Sequence, residues 1–304
     1  MPVTTRRGLL RGVAAAATLA ATGGAAPVAA PLARAIPGTG ERLPAVGLGS
    51  WITFNVGDDP LLRDECAAVM GAFFAAGGAM IDCSPMYGSS QAVIGHGLAR
   101  LGYPAGLFSA EKVWTGSAAE GPAQIERSRR LWGVPRLDLV QVHNLLAWQA
   151  YLPTLRAMQA AGTIRHVGIT TSEGRRHDLL AQIMREQPLD FVQLTYNPVD
   201  RAAEAHLLPL ARDRGMAVIV NRPFQQGALT RRLQRHPLPG WAAELGAASW
   251  AQAILKFILA HPAVTVVIPA TTRVDHVREN LAAAAEPLPD ETLRRRIATD
   301  IAAL

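Results

Sequence analysis

From Leu43 onward the chain alternates short, nearly continuous apolar runs with longer stretches in which apolar residues recur at i, i+3 and i+4. The short runs fall at 45–49, 79–83, 107–112, 137–143, 166–169, 191–194, 217–220 and 264–268, and their length and bounding turns predict strands. Between them the longer period predicts helices at about 61–76, 90–101, 121–132, 149–161, 174–186, 201–214, 248–260 and 273–284. Leu152, Leu155, Ala157 and Met158 form one such face, with Pro153 early enough in its helix to be tolerated. A last arginine-rich helix starts at Pro289-Asp290-Glu291. Residues 222–246, broken by Pro223, Pro237, Pro239 and Gly240, read as the longest irregular insertion.

Eight strand–helix units of roughly 30 residues predict an α/β fold, a single (β/α)₈ TIM barrel. The competing architecture is a doubly wound open sheet. It finds no support in a G-x-G-x-x-G motif, since Gly47-Leu48-Gly49-Ser50-Trp51-Ile52 lacks the third glycine. Nothing in the alternation divides the barrel into two domains.

The first 35 residues differ in kind. Arg6 and Arg7 precede an alanine-rich, weakly hydrophobic run, and Ala33-Arg34-Ala35 offers a small-x-small cleavage site. This layout predicts a cleavable export signal over 1–35 ahead of a barrel over 36–304. The paired arginines resemble the twin-arginine type, which implies the twin-arginine export machinery as a partner, export in the folded state, and a periplasmic or extracytoplasmic location. The run is too short and too rich in alanine to hold the protein stably in a bilayer after cleavage.

That leader also explains the charge. The formal net charge is +6, but four arginines and no acid lie within residues 1–35; without them 26 basic residues stand against 24 acidic ones. A balance that even gives no case for nucleic acid or an anionic surface. Among the 30 basic residues only Lys112 and Lys256 are lysines, and lysine, unlike arginine, can have its pKa tuned. Cys66 and Cys83 set no disulfide framework; Cys83 reads as core.

The chemistry gathers at three successive strand ends. Ile81-Asp82-Cys83-Ser84-Pro85-Met86-Tyr87-Gly88-Ser89-Ser90 closes a buried strand on a carboxylate, with a tyrosine in the following loop. The next strand ends on Lys112 and the one after it on His143. In a barrel these ends are neighbours on the face that carries active sites. Alone, each has a bland explanation in solvation or local hydrogen bonding; together they define a chemistry. Asp82 supplies the counter-charge that a buried Lys112 requires. The ammonium is expected to lower the pKa of Tyr87 from about 10. Such a tyrosine exchanges a proton with a carbonyl or alcohol oxygen, and His143 donates a hydrogen bond to the same oxygen.

The motifs "IDCSPMYGSS", "EKVW", "LDLVQVHN", "VGIT", "FVQLTYN" and "VIPATTRVDHVRENL" resemble those of the aldo-keto reductases over about residues 43–285. The resemblance implies a small-molecule carbonyl substrate, a nicotinamide cofactor held without a Rossmann fold, and Asp82, Tyr87, Lys112 and His143 as the catalytic set. Gln193 then matches a glutamine that holds the carboxamide, while Thr171 stands where an asparagine is common. Asn221-Arg222-Pro223-Phe224 replaces a stretch that often presents a tyrosine to the nicotinamide ring. Thr271, Thr272 and Arg273 lead into a helix N-terminus suited to phosphate, and Glu279 and Asn280 match residues near the adenine. Gly49 and Trp51 complete the cofactor set. With Arg273 or His276 in place of a phosphate-reading lysine, NADP(H) is implied ahead of NAD(H).

Trp51, Trp114 and Trp148 all follow strands on the same face and predict an aromatic substrate pocket. Trp250 reads as core. His96, His166, His177, His206, His236 and His261 have no ligand spacing, so no metal is expected. Two rivals compete with a reductase. One is a cofactor-binding accessory or redox-sensing protein of the same fold with little turnover, suggested by the altered residues at 171 and 221. The other is a hydrolase using Asp82 and His143, which leaves Lys112 and Tyr87 without a task.

Overall fold

A computed structural model describes residues 32–304. Eight parallel strands follow one another around a single sheet: β3 (Leu48–Gly49), β4 (Met80–Asp82), β5 (Phe108–Val113), β6 (Leu137–Val142), β7 (Ile164–Thr170), β8 (Phe191–Thr195), β9 (Ala217–Asn221) and β10 (Val264–Val267). Bridges Val46↔Val267 and Gly49↔Ala270 join the first strand to the last, so the sheet closes as a barrel. The seam is tight: a Cβ at Gly49 would stand 2.9 Å from the Ile268 carbonyl oxygen.

Each predicted strand is present. Helices α1 (Pro60–Ala75), α2 (Ser90–Arg100), α3 (Gly121–Trp132), α4 (Trp148–Ala160), α5 (His177–Glu186) and α6 (Leu207–Asp213) fill the successive crossovers. Local chemistry sets several boundaries. The Asp59 carboxylate accepts from the Leu61 and Leu62 amides ahead of Pro60, while Ser249 and Asp290 cap α9 (Trp250–Leu259) and α11 (Glu291–Ala303). The insertion at 222–246 is less irregular than its prolines suggest, since it folds α7 (Ala228–Leu233) and α8 (Gly240–Glu244). Helix α10 (Val274–Ala282) follows the last barrel strand.

Alternation along the strands sorts the core. Met80, Phe108, Leu139, Phe191, Ile219 and Val266 fill the barrel interior, and the opposite faces pack under the helices. The bottom is closed by an antiparallel hairpin, β1 (Ala33–Ala35) with β2 (Arg42–Pro44), whose Ile36 and Leu43 join the interior cluster. Arg34 donates to the Leu259 carbonyl at 3.0 Å. The leader boundary expected at 35/36 therefore falls inside a folded hairpin: Ala33-Arg34-Ala35, composed like a cleavage site, is paired backbone. Arg6, Arg7 and the alanine-rich run lie outside the described residues.

Candidate active site

Asp82, Lys112 and His143 come together at the C-terminal ends of β4, β5 and β6, with Tyr87 in the loop after β4. The register places Asp82 beside Ala110 and Lys112 beside Gln141, so both ionised side chains share the inward face. Lys112 is fully buried and forms an ion pair with Asp82. Its ammonium also donates to the Cys83 carbonyl at 2.8 Å. Two of its three protons are thereby used, and the nitrogen sits 5.3 Å from the centre of the Tyr87 ring. Burial alone would depress the ammonium, but Asp82 and then Tyr87 outweigh it and hold Lys112 above the ordinary lysine value.

The Tyr87 phenol behaves differently from expectation. Burial pushes it above its ordinary value, and the Lys112 charge offsets only part of that rise. The lowering expected from lysine alone is thus overturned by desolvation, and the phenol is held firmly in its protonated form. His143 lies edge-on to it, ring centres 5.8 Å apart and planes at 84°. Burial first, then the Lys112 charge, pushes this imidazole down to about 3, so it is neutral near pH 7.

These groups open into a cavity of about 710 Å³. Asp82, Tyr87 and His143 line it by the ends of β4 to β6, and Thr171, Gln193 and Asn221 form its floor near the ends of β7, β8 and β9. Arg222, Pro223 and Phe224 after β9, and Thr271, Glu279 and Asn280 after β10, continue the wall. Gly49 and Trp51 also line it. Of the residues expected to hold a cofactor, Thr272 and Arg273 are absent from the wall. Thr272 is exposed, and the Arg273 guanidinium turns outward into an ion pair with Asp275. His276 stands in its place on the wall.

Of the three tryptophans expected in the substrate pocket only Trp51 lines the cavity, where Phe224 and Trp250 join it. Trp114 is exposed outside the cavity, its backbone clamped by the Gln124 amide at 2.7 and 2.9 Å. Trp148 opens α4 and packs back against the core. In their place Ile52 and Met86 line the entrance with Trp51. Asn144, Glu173, Arg175 and Arg176 form further wall that the sequence reading did not single out. All four follow strands β6 or β7, and that position was the available signal.

The floor already carries internal bonds. Gln193 donates to Asp82 at 2.6 Å and accepts from Thr170 at 3.0 Å. Asn221 donates to the Thr171 carbonyl at 2.9 Å and accepts from Thr195 at 2.7 Å. The Thr171 hydroxyl, in contrast, is buried with no hydrogen-bond partner. The wall also runs from the strand ends to residues at the start of α10. The residues present therefore fit a nicotinamide cofactor, whose amide end Thr171, Gln193 and Asn221 would hold and whose phosphates would lie by the α10 N-terminus. Cys66 and Cys83 are both buried free thiols.

Comparison with known proteins gives one consistent answer. The sequence profile described as the Aldo/keto reductase family matches residues 45–298. The NADH-specific methylglyoxal reductase of Escherichia coli K12 is 27% identical over 236 residues, covering 66% of this chain and 69% of that one. Pyridoxal 4-dehydrogenase of Microbacterium luteolum is 25% identical over 329 residues, covering 85% and 94%. Among solved structures, an aldo/keto reductase from Klebsiella pneumoniae in complex with NADP and acetate superposes with a TM-score of 0.74 at 24% identity, over 88% of this chain and 94% of that one.

Proposed function

The chain belongs to the aldo/keto reductase family, and from that premise we propose that it reduces an aldehyde or ketone to an alcohol, with Tyr87 as the proton donor. It is an NAD(P)H-dependent oxidoreductase. The observation that carries the mechanism is the buried Asp82–Lys112 pair in contact with the half-buried Tyr87 ring, beside a neutral His143. When bound, the nicotinamide cofactor supplies the hydride. The chain's own residues do the rest.

The Tyr87 hydroxyl donates its proton to the carbonyl oxygen as negative charge develops there. Lys112 stands behind the ring as a fixed positive charge that stabilises the phenolate left after transfer, and Asp82 keeps that lysine protonated in its buried position. His143 presents a ring nitrogen to the same oxygen and orients it. Trp51, Ile52 and Met86 form the apolar lip through which the substrate enters. Thr171, Gln193 and Asn221 would hold the cofactor's amide end, and His276, Glu279 and Asn280 its adenosine end.

The test is a fluorescence titration of the purified protein with NADPH and NADH, followed by single-turnover oxidation against a panel of carbonyls. Methylglyoxal and pyridoxal head the panel, because two relatives are named for acting on them. One observation favours the alternative of an accessory cofactor-binding protein: Gln193 and Asn221 are already satisfied by protein partners. Cofactor binding without hydride transfer to any carbonyl in the panel would sink the reductase reading and favour that alternative.

The leader is proposed as a twin-arginine export signal on the strength of Arg6-Arg7 and the run that follows. The pairing of Ala33–Ala35 supports processing upstream of Leu32 instead of at 35/36, which is part of this proposal. N-terminal sequencing of protein recovered from outside the cytoplasm tests both points, and a mature chain beginning after Ala35 refutes the second.

A further inference from the structure

Ser84 lies two residues past Asp82 and is fully buried. Its hydroxyl oxygen sits 2.8 Å from Nδ1 of His143, and the Met86 backbone N–H approaches the same oxygen at 3.4 Å. No other described group bonds to this hydroxyl. We propose that Ser84 is the positioning residue for His143: it donates its proton to Nδ1, fixes the imidazole as the Nε2–H tautomer, and so aims a donor at the substrate oxygen. The proposal rests on the reductase reading of this cavity.

The direction of the bond follows from counting protons. A neutral imidazole carries one N–H and one lone pair. If Nδ1 carried the hydrogen, Ser84 would accept from both Nδ1 and Met86, and its own proton would point into packed protein with no acceptor. With Ser84 as donor, every polar atom in the group is matched: Met86 N–H to the hydroxyl oxygen, hydroxyl proton to Nδ1, and Nε2–H free for the substrate. Among the described residues the His143 imidazole has no other protein hydrogen bond, and it lines the cavity. The reverse tautomer would turn a lone pair toward the carbonyl oxygen, which repels it. The edge-on Tyr87 ring restrains the imidazole plane, but a contact of that kind cannot choose between the two nitrogens. Such partners of a ring nitrogen set which tautomer faces the chemistry.

The experiment is nitrogen NMR of the full chain labelled with ¹⁵N-histidine, with the His143 signals assigned by their loss in His143→Asn. In the parent protein His143 is expected to show only Nε2–H, with the Nδ1 resonance displaced as for a hydrogen-bonded imine nitrogen. In Ser84→Ala that resonance should move to the unbonded position, and in Ser84→Thr it should return. Alongside this, kcat/KM for carbonyl reduction should fall about tenfold in Ser84→Ala, the scale of one lost hydrogen bond. Cofactor affinity should be unchanged. An Nδ1–H signal in the parent overturns the proposal even where the alanine variant does not fold. An Nδ1 resonance identical in parent and Ser84→Ala does the same. A parent with bonded Nδ1 that reduces no carbonyl upholds the tautomer and overturns the reductase reading, so the two failures are separate.

Discussion

Gln193 donates its side-chain amide to Asp82 across 2.6 Å and 111 residues of sequence, so the residue proposed to hold the cofactor's amide end also holds the counter-ion of Lys112. Asp82 uses its other carboxylate oxygen on Lys112. Gln193, Asp82 and Lys112 are thus one hydrogen-bonded unit beneath the cavity.

This unit predicts that Gln193→Leu damages two properties at once. It leaves a buried carboxylate oxygen without a donor, a loss of about 1–3 kcal/mol. Cofactor titration should show weaker binding, and single-turnover reduction at saturating cofactor should slow about tenfold. Weaker binding with an untouched single-turnover rate would show that the link to Asp82 has no catalytic weight.

Tyr87→Phe should lower turnover by roughly 10²–10⁴ while cofactor affinity stays close to the parent value. The raised pKa of the phenol adds a pH signature. A proton donor whose pKa lies above its ordinary value near 10 stays loaded through neutral and mildly basic pH. His143 stays neutral above about 3. Reduction should therefore run level from about pH 6 to about pH 9, whereas alcohol oxidation, which needs the phenolate, should climb with pH. A reduction profile falling through neutrality would place another group in Tyr87's role.

The barrel was legible because its strands are buried on both faces and its helices are not, two periods that differ along the chain. Asp82, Tyr87, Lys112 and His143 were legible because strand ends in a barrel converge. What remained hidden needs direction as well as position. Trp114 and Trp148 follow strands on the correct face, yet one is clamped outward by Gln124 and the other folds back onto the core. The Ser84–His143 and Gln193–Asp82 bonds join residues whose closeness exists only after folding. The net rise at Tyr87 depends on desolvation, which no spacing of residues reports. The pairing of Ala33–Ala35 was hidden because small residues suit a cleavage site and a short edge strand equally.

Glu111 faces away from Lys112 into the layer between sheet and helices, where no substrate reaches. Its carboxylate accepts from Gln91 at 2.8 Å, Trp132 at 2.9 Å and the Lys112 amide at 2.9 Å. Burial nevertheless raises it from 4.5 to about 7, against the pull of those donors. A raised carboxylate binds its proton more tightly folded than unfolded, so this group's penalty is absent below about pH 4.5, grows as pH rises toward 7 and is fully present above it. The rise corresponds to about 3 kcal/mol. Chemical denaturation of the parent between those limits should show this downward slope, and Glu111→Gln, which cannot titrate, should lack it. Equal slopes in the two proteins would remove Glu111 from the account.

Cofactor choice turns on a charge that is present but tied. Arg273 stands at the N-cap position of α10 without capping it, and its guanidinium pairs with Asp275 instead of lining the cavity, while His276 occupies the wall with its Nδ1 3.4 Å from the Thr271 hydroxyl. Both partners of the ion pair are exposed, so the bond that holds the arginine outward is weak and the side chain is free to re-aim once released. Asp275→Asn should therefore raise affinity for NADPH several-fold while leaving NADH unchanged, because only the former carries a phosphate for a freed guanidinium to meet. Arg273→Ala should then cancel that gain in the double variant, yet cost the parent protein little. His276→Ala, in contrast, should weaken both cofactors, since its ring forms wall regardless of the phosphate. Competitive fluorescence titration of the parent and the four variants decides the matter: a loss of NADPH affinity on Arg273→Ala alone, as large as the gain on Asp275→Asn, would mean that the arginine already reaches the phosphate and that Asp275 does not restrain it.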